Sequence, residues 1–236
     1  MGHIVKASTT STNRLPKLTS IKAEPFLLDI EKLPENIQTF LHADILIVNI
    51  PSKNPEAFRG LLKEIEKSEI ESVLFVSSTS VYENKNKTIS ESDGEESTTS
   101  PLFTIENVFR NCDKIKTTIV RFGGLIGYNR NPGMFFSKGK LIRNPDSNVN
   151  LIHRDDCIKI LAQIVEQEVW DEVFNCCADT HPTKREFYTQ AAASTGNSVP
   201  EFAVSDTKSF KIISNHKVKQ VLNYEFLEPD LMKIKF

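Results

Sequence analysis

The sequence predicts an α/β protein built on a mainly parallel, doubly wound sheet. Short apolar runs rich in β-branched residues alternate with helical patterns along the chain. Val73–Tyr82 (VLFVSSTSVY) is apolar almost continuously before it breaks into hydroxyls, as expected for a strand covered by helices on both faces. With 236 residues, 39% of them apolar, the chain is long enough for one sizeable domain of this class.

Apolar runs and amphipathic spacing predict the elements of the first half of the chain. Pro55–Ser68 is predicted as a helix because Phe58, Leu61, Leu62 and Ile65 recur with helical spacing. The other predicted elements here are strands at Ile4–Ala7, Pro25–Ile30 and Asp44–Ile50, a short helix at Asn36–Ala43, and a loop or helical turn at Leu15–Ile21.

The second half continues the alternation after a polar segment. Glu83–Ser100 is rich in Glu, Ser, Thr, Asn and Lys, which predicts a mobile surface loop, with a lid as one role for it. The elements predicted after it are strands at Thr117–Phe122, Val149–His153 and Glu172–Cys176, helices at Pro101–Cys112, Asp155–Gln167, Lys184–Ser194 and Lys217–Leu222, and further short segments at Ile212–Asn215 and Tyr224–Phe226.

Composition excludes several classes of function. A net charge of −2 gives no reason to expect nucleic acid as a partner. No run of about eighteen apolar residues is present, so no membrane span is predicted. The four cysteines lack metal-site spacing, and no signal-peptide core precedes them, which makes a reducing cytoplasm the default. Adjacent Cys176 and Cys177 are predicted as core residues.

An ordered set of motifs resembles one enzyme family over nearly the whole chain. The motifs are GHIVKASTTS, LLDI, DILIVNIP, VLFVSSTSVY, IVRFGGLIG, NLIHRDD, VFNCCA and ISNHKVKQVLNYEF. Together they resemble the NAD-dependent epimerase/dehydratase family of extended and atypical short-chain dehydrogenases/reductases. The resemblance implies a Rossmann-like dinucleotide-binding region at residues 1–150. It also implies that residues 151–236 hold the remaining sheet elements and a small C-terminal substrate-side part within the same integrated domain.

The first strand, Gly-rich turn and first helix of that family have no counterpart here. In the family a Gly-His pair often precedes the second strand, and here that pair is Gly2 and His3. No G-x-G-x-x-G motif occurs anywhere, although such a turn normally holds the pyrophosphate. The missing strand would lie mid-sheet, so we expect that its neighbours close up, that another chain fills the slot, or that the chain is incomplete.

The proton-transfer pair of the family is also missing. Family enzymes use Tyr-x-x-x-Lys on a helix, where the lysine lowers the pKa of the tyrosine. None of the four tyrosines has a lysine four residues later, and the helix SPLFTIENVFRN, where the pair would lie, contains neither residue. A subset of atypical members shares this departure, and the chain resembles that subset.

Candidate cofactor residues follow the first three predicted strands. By resemblance, Ser8, Thr9, Thr10 and Arg14 lie beside the adenosine ribose, where hydroxyls and an arginine suit a 2′-phosphate and so favour NADP over NAD. A polar turn with a solvated arginine is the alternative. The other candidates on this side are Asp29 as an adenine contact or a turn cap, and Asn49, Ile50 and Pro51 as the segment beneath adenine and ribose or a plain strand end.

Candidate residues on the nicotinamide and substrate side follow the later strands. Ser77 is predicted to contact the cofactor, and Ser78 and Thr79 are weak catalytic candidates because no base is evident for their hydroxyls. Two further sets are Arg121, Gly123 and Gly124 as cofactor neighbours or a tight turn, and His153 and Asp156, which resemble a segment that anchors the substrate portion but for which we favour structural roles.

Two functions remain open from the sequence. The first is an NAD(P)-binding epimerase/dehydratase-like or reductase-like protein acting on an unknown substrate, with a sugar nucleotide as one class. The second is a non-catalytic Rossmann-like binding or regulatory module, which explains both missing motifs at once. A vacant strand slot also favours a homo-oligomer, and no metal site is predicted.

Overall fold

A computed structural model describes residues 2–136, 141–204 and 209–236 of the chain. The strands in chain order are β1 Lys6–Thr9, β2 Glu24–Leu27, β3 Ile45–Val48, β4 Ser72–Ser78, β5 Thr88–Ile89, β6 Lys116–Phe122, β7 Gly124–Ile126, β8 Leu151–His153, β9 Val173–Cys176 and β10 Ile212–Ile213. The α-helices are α1 Leu15–Ser20, α2 Ile37–Leu41, α3 Pro55–Ile65, α4 Pro101–Arg110, α5 Arg154–Glu166, α6 Lys184–Ser194 and α7 His216–Leu222.

Parallel pairing dominates the sheets, as the sequence predicts. The main sheet has the strand order β3-β4-β6-β9, and every register in it is parallel. A second parallel pair joins β1 to β2, and two smaller parallel pairs join β7 to β8 and β5 to β10. The α/β fold class and the mainly parallel sheet are therefore confirmed.

Helix starts follow the capping residues in the sequence. Asn54 and Ser100 each accept a backbone N–H at the first turn of α3 and α4, and a proline follows each of them. At α6, Thr183 and Glu186 form a reciprocal capping box. These capping residues determine where the helices begin after the strands. They therefore also determine the edge of the sheet at which a site can form.

Two apolar layers cover the main sheet. One packs α3 and α4 on β3, β4 and β6 around Phe58, Phe75 and Phe109. The other packs α5 and α7 on β4, β6 and β9, with Leu74 and Phe174 at its centre. Cys176 and Cys177 are fully buried, which confirms their prediction as core residues.

The segment 83–100 differs from the mobile loop predicted for it. It contains β5, whose Ile89 is fully buried and which pairs in parallel with β10 from the far end of the chain. A two-residue strand leaves no periodicity in the sequence, and its pairing partner lies more than a hundred residues away. This segment is therefore a packed part of the fold.

Several predicted segments differ from the structure in their bounds or their type. The first strand covers Lys6–Thr9, displaced towards the hydroxyl run from the predicted Ile4–Ala7, because its register pairs Thr9 with Leu27 of β2. Tyr224–Phe226 is irregular, although both aromatic rings are buried against the helical layer.

Within the described ranges, no helix has the length and apolar character needed to cross a membrane.

Candidate functional site

The β1–β2 pair lies beside the main sheet with its strands running in the same direction. Before β3 begins, the backbone oxygens of Thr39 and His42 accept from Lys6 Nζ at the start of β1. Beyond the other ends of the strands, Glu31 accepts from Ser52 Oγ at 2.7 Å and from Asn54 Nδ2 at 2.6 Å. The carboxyl ends of β1, β2 and β3 therefore meet at one edge, where open parallel sheets bind ligands.

Exposed polar side chains follow β1 at this edge. Ser8, Thr10 and Arg14 are exposed, and Thr9 is half-buried with its Oγ1 accepting from Ser11 N at 3.2 Å. The Arg14 side chain has no hydrogen bond or ion pair within the described residues. A cation and hydroxyls are thus free to contact an anionic group, as the sequence predicts for a 2′-phosphate.

The ends of β2 and β3 carry the other adenosine-side candidates. Asp29 is exposed, and its Oδ1 accepts from Glu31 N at 2.9 Å, so the carboxylate also caps its own turn. Asn49 and Pro51 are exposed, and Ile50 packs against the apolar layer below. The structure brings these residues to the same edge as Arg14, and their contact with a cofactor stays a prediction.

Ser77 and Arg121 lie below the edge in a buried charged cluster. Arg121 and Glu106 both have 0% exposed side chains, and their ion pair is bidentate, with Arg121 Nε 3.0 and 3.1 Å from the two carboxylate oxygens of Glu106. Ser77 Oγ donates to Glu106 Oε1 at 2.5 Å, and Arg121 Nη1 also donates to Glu96 and to the Tyr82 hydroxyl. Every nitrogen of the guanidinium is therefore used inside the protein.

Tyr82 is the last residue of the motif VLFVSSTSVY, and its side chain is held in this cluster. Its hydroxyl lies 3.1 Å from Asn175 Oδ1 and accepts from Arg121. Burial raises the pKa of the Tyr82 hydroxyl to about 12. The hydroxyl is consequently neutral and bonded at ordinary pH, which disfavours a role in proton transfer.

Ser78 and Thr79 begin the turn that follows β4. Ser78 is half-exposed, and its Oγ accepts from Ser80 N at 3.1 Å, which caps the short 3₁₀ helix Thr79–Val81. Thr79 is buried. Of the three candidate residues Ser77, Ser78 and Thr79, Ser78 alone is not buried, and it is the last residue of β4.

Gly123 and Gly124 let two backbones approach each other after β6. A Cβ atom on Gly123 would lie 2.6 Å from the carbonyl oxygen of Asn150, and one on Gly124 would lie 2.7 Å from the Leu151 side chain. Gly124 N donates to Asn150 O at 2.8 Å. The close approach that glycine permits is thus made to the neighbouring strand, while Gly124 remains exposed at the edge.

Several residues of this region are missing from the sequence-based candidates. Glu106 has one sequence signal, because it is a charged residue inside an apolar helical pattern, and that break in the pattern is the clue to its buried ion pair. Glu91, Glu96, Asn150 and Lys211 come from irregular or very short segments, and only tertiary contacts bring them here.

The residues present fit part of the dinucleotide that this fold implies. The exposed hydroxyls, Arg14, Asp29 and Asn49 offer the donors and acceptors that an adenosine ribose phosphate requires. The sequence has no Gly-rich turn for the pyrophosphate, and the glycines after β6 are packed on Asn150. The fit is therefore to the adenosine half. Among the described residues no cluster of potential metal ligands occurs.

Solved structures with a similar fold indicate the class of protein. A protein from Methylobacillus flagellatus with the provisional name NAD-dependent epimerase/dehydratase matches with a TM-score of 0.74 at 19% identity, covering 96% of this chain and 93% of that one. UDP-glucuronic acid 4-epimerase from Bacillus cereus, solved in complex with NAD, matches with a TM-score of 0.74 at 17% identity over 98% and 86% of the chains. The chain therefore has the fold of the NAD-dependent epimerases/dehydratases, as its motifs predict.

Comparison of amino-acid sequences identifies a relative in Escherichia coli. Protein YeeZ of Escherichia coli strain K12 is 28% identical over 208 residues, which is 83% of this chain and 76% of that protein. No protein-family model matches the sequence.

Proposed function

We propose that the protein binds a nicotinamide adenine dinucleotide, NADP in preference to NAD, in an epimerase/dehydratase-like or reductase-like role. The observation that carries the proposal is the exposed Arg14, which follows β1 and the exposed hydroxyls of Ser8 and Thr10 and has no acidic partner among the described residues. A guanidinium recognises a phosphate through paired N–H donors, whereas an NAD ribose would call for an acidic residue. The bound nicotinamide would supply hydride transfer.

We take the substrate class to be tested from the proteins of similar structure. The B. cereus epimerase acts on UDP-glucuronic acid by name, and a sugar nucleotide is the class we propose to test first. Of the candidates predicted on the nicotinamide and substrate side, Ser78 is half-exposed and Gly124 is exposed. The Tyr82 hydroxyl does not serve as the acid or base, because Arg121 and Asn175 hold it and its pKa is raised.

The first experiment is a calorimetric titration of the purified chain with NADP, NAD and 2′-AMP. We expect Arg14→Ala to weaken NADP and 2′-AMP binding by about tenfold, the loss of a charge-assisted hydrogen bond, and to leave NAD unchanged. Lys17→Ala, an exposed cation in the neighbouring helix α1, is the matched control and should bind like wild type. Absence of saturable binding of either dinucleotide at millimolar concentration would refute the proposal.

A second candidate is a non-catalytic nucleotide-binding module, and the buried Tyr82 favours it. In the described residues, no tyrosine hydroxyl is hydrogen-bonded to a lysine ammonium. The two candidates separate by incubating the protein and NADP with UDP-glucose or UDP-glucuronic acid. An epimerised product or a change in nicotinamide absorbance supports the enzyme, and saturable NADP binding without either supports the module.

A further inference from the structure

Lys211 lies beside the Ser78 turn, although it comes from the far end of the chain. Its Nζ donates to the backbone oxygen of Thr79 at 2.9 Å and also to that of Tyr82. Both oxygens belong to the turn that begins at Ser78. A lysine ammonium has three N–H groups, so these two bonds leave one donor for another partner.

In the part of the chain that the structure describes, no carboxylate pairs with this ammonium. By contrast, Lys217 and Lys219 a few residues later pair with Glu172 at 2.6 Å and Asp179 at 2.9 Å. Burial lowers the pKa of the Lys211 amine. A half-buried cation without a counter-charge is unfavourable in a stable fold, and such groups concentrate at functional sites.

The position of Lys211 is fixed by a second contact. Asn150 Nδ2 donates to the Lys211 carbonyl at 3.0 Å, and Asn150 Oδ1 accepts from Ile213 N at 2.8 Å. The carbonyl oxygen of Asn150 in turn accepts from Gly124 N at 2.8 Å. The Lys211 backbone is therefore tied to the turn after β6, and its ammonium is tied to the turn after β4.

We propose that Lys211 is an anion-binding residue of the substrate site, and that its remaining N–H donates to a phosphate or carboxylate oxygen of the substrate held beside Ser78. The inference rests on the proposed function for the identity of the site as a substrate site. It deepens that function by naming the residue that holds the negative charge of the substrate. A charge-assisted bond from a preorganised ammonium binds such an oxygen more strongly than a neutral donor does.

The test is amine labelling of the wild-type chain with acetic anhydride, read residue by residue by mass spectrometry. Inorganic phosphate and malonate are the two probes, so that the arms distinguish a phosphorylated from a carboxylate-bearing ligand. We expect one or both to slow acetylation of Lys211 severalfold and to leave Lys159, an exposed lysine of α5, unchanged. If neither probe protects Lys211, the inference is wrong.

Variants add a second readout. Lys211→Gln should lower the affinity for the protecting probe about tenfold, and Lys211→Arg should retain it, because a neutral amide loses the charge-assisted bond. Lys217→Gln is the control. Equal affinity in Lys211→Gln and wild type would overturn the proposal. An NADP titration separates this inference from the proposed function. Lys211→Gln leaves the residues around Arg14 untouched, so the substitution should not change NADP binding. Failure of the proposed function would appear in the wild-type chain, as an absence of NADP binding.

Discussion

Arg121 and Glu106 form an ion pair from which water is excluded. Both side chains are fully buried, and Ser77, Glu96 and Tyr82 complete their hydrogen bonds. Burying charges costs free energy, which the bidentate geometry and the added hydrogen bonds offset. The pair joins α4 to the carboxyl half of β6. Through Ser77 it also contacts the end of β4, directly before the Ser78 turn.

Removing the charge of Glu106 should destabilise the fold strongly. We expect Glu106→Gln to lower the free energy of unfolding by about 3–5 kcal/mol, because it leaves a buried guanidinium without its principal counter-charge. Urea denaturation followed by circular dichroism measures this change. Glu56→Gln breaks an exposed pair with Arg59 and should have little effect. A loss for Glu106→Gln no larger than for Glu56→Gln would contradict this account.

At the scale of elements, the segment 83–100 acts as a strap across the ends of the main sheet. Its strand β5 pairs with β10, Glu96 reaches Arg121, and Glu91 Oε1 accepts from Asn175 N at 2.6 Å. Burial raises the pKa of the Glu91 carboxyl, since desolvation outweighs the nearby positive charges. The strap is thus held partly by a carboxylate whose charged form is disfavoured in the fold.

The pH dependence of stability should expose this carboxylate. Because the folded-state pKa of Glu91 lies above its unfolded value, its stabilising contribution is present at low pH and is lost as pH rises through the folded pKa. We expect Glu91→Gln, which keeps the acceptor oxygen, to be more stable than wild type at pH 7 and equal to it near pH 4. Paired urea titrations across that range measure the difference. A constant difference at every pH would exclude titration of Glu91 as its cause.

At the scale of the molecule, the described strands form separate sheets, and no hydrogen-bonded ladder among them links the main sheet to the β1–β2 pair. β3 is an edge of the main sheet, and no ladder joins it to β1. Ile47 on β3 is 49% exposed, while its register partner Leu74 on β4 is fully buried. Of the outcomes expected for the slot, closure by direct pairing of its neighbours is not seen in the described strands. An open edge with an apolar side chain invites association.

Self-association should therefore depend on this edge. We predict that the wild-type chain forms oligomers in light scattering, and that Ile47→Lys shifts it towards the monomer mass because an edge lysine opposes strand pairing. Ile158→Lys is a matched control, since Ile158 is exposed on α5 away from the strand edge. A monomeric wild type at all concentrations would refute the prediction.

The sequence predicts those parts of the fold that leave local patterns. The apolar strands β4 and β6 and the capped helices α3 and α4 follow from periodicity and capping residues. Exposed polar residues after β1, β2 and β3 follow from polarity at the strand ends, whereas their assignment to adenosine comes from the family resemblance and stays a prediction. Lys211 and β5 could not be predicted, because nothing local in either segment specifies a partner more than a hundred residues away. The buried state of Arg121 was missed because its partner Glu106 lies on a helix rather than at a strand end.

The contact between Lys211 and Thr79 spans 132 residues of chain, and this separation has a consequence for folding order. Closing so long a loop costs conformational entropy before any contact rewards it. During synthesis the main sheet strands β3, β4 and β6 emerge well before Lys211, so the sheet can assemble while the ammonium is still absent. Lys211 can therefore reach the Ser78 turn only after these strands have been synthesised, and it arrives together with α7, which completes the second apolar layer.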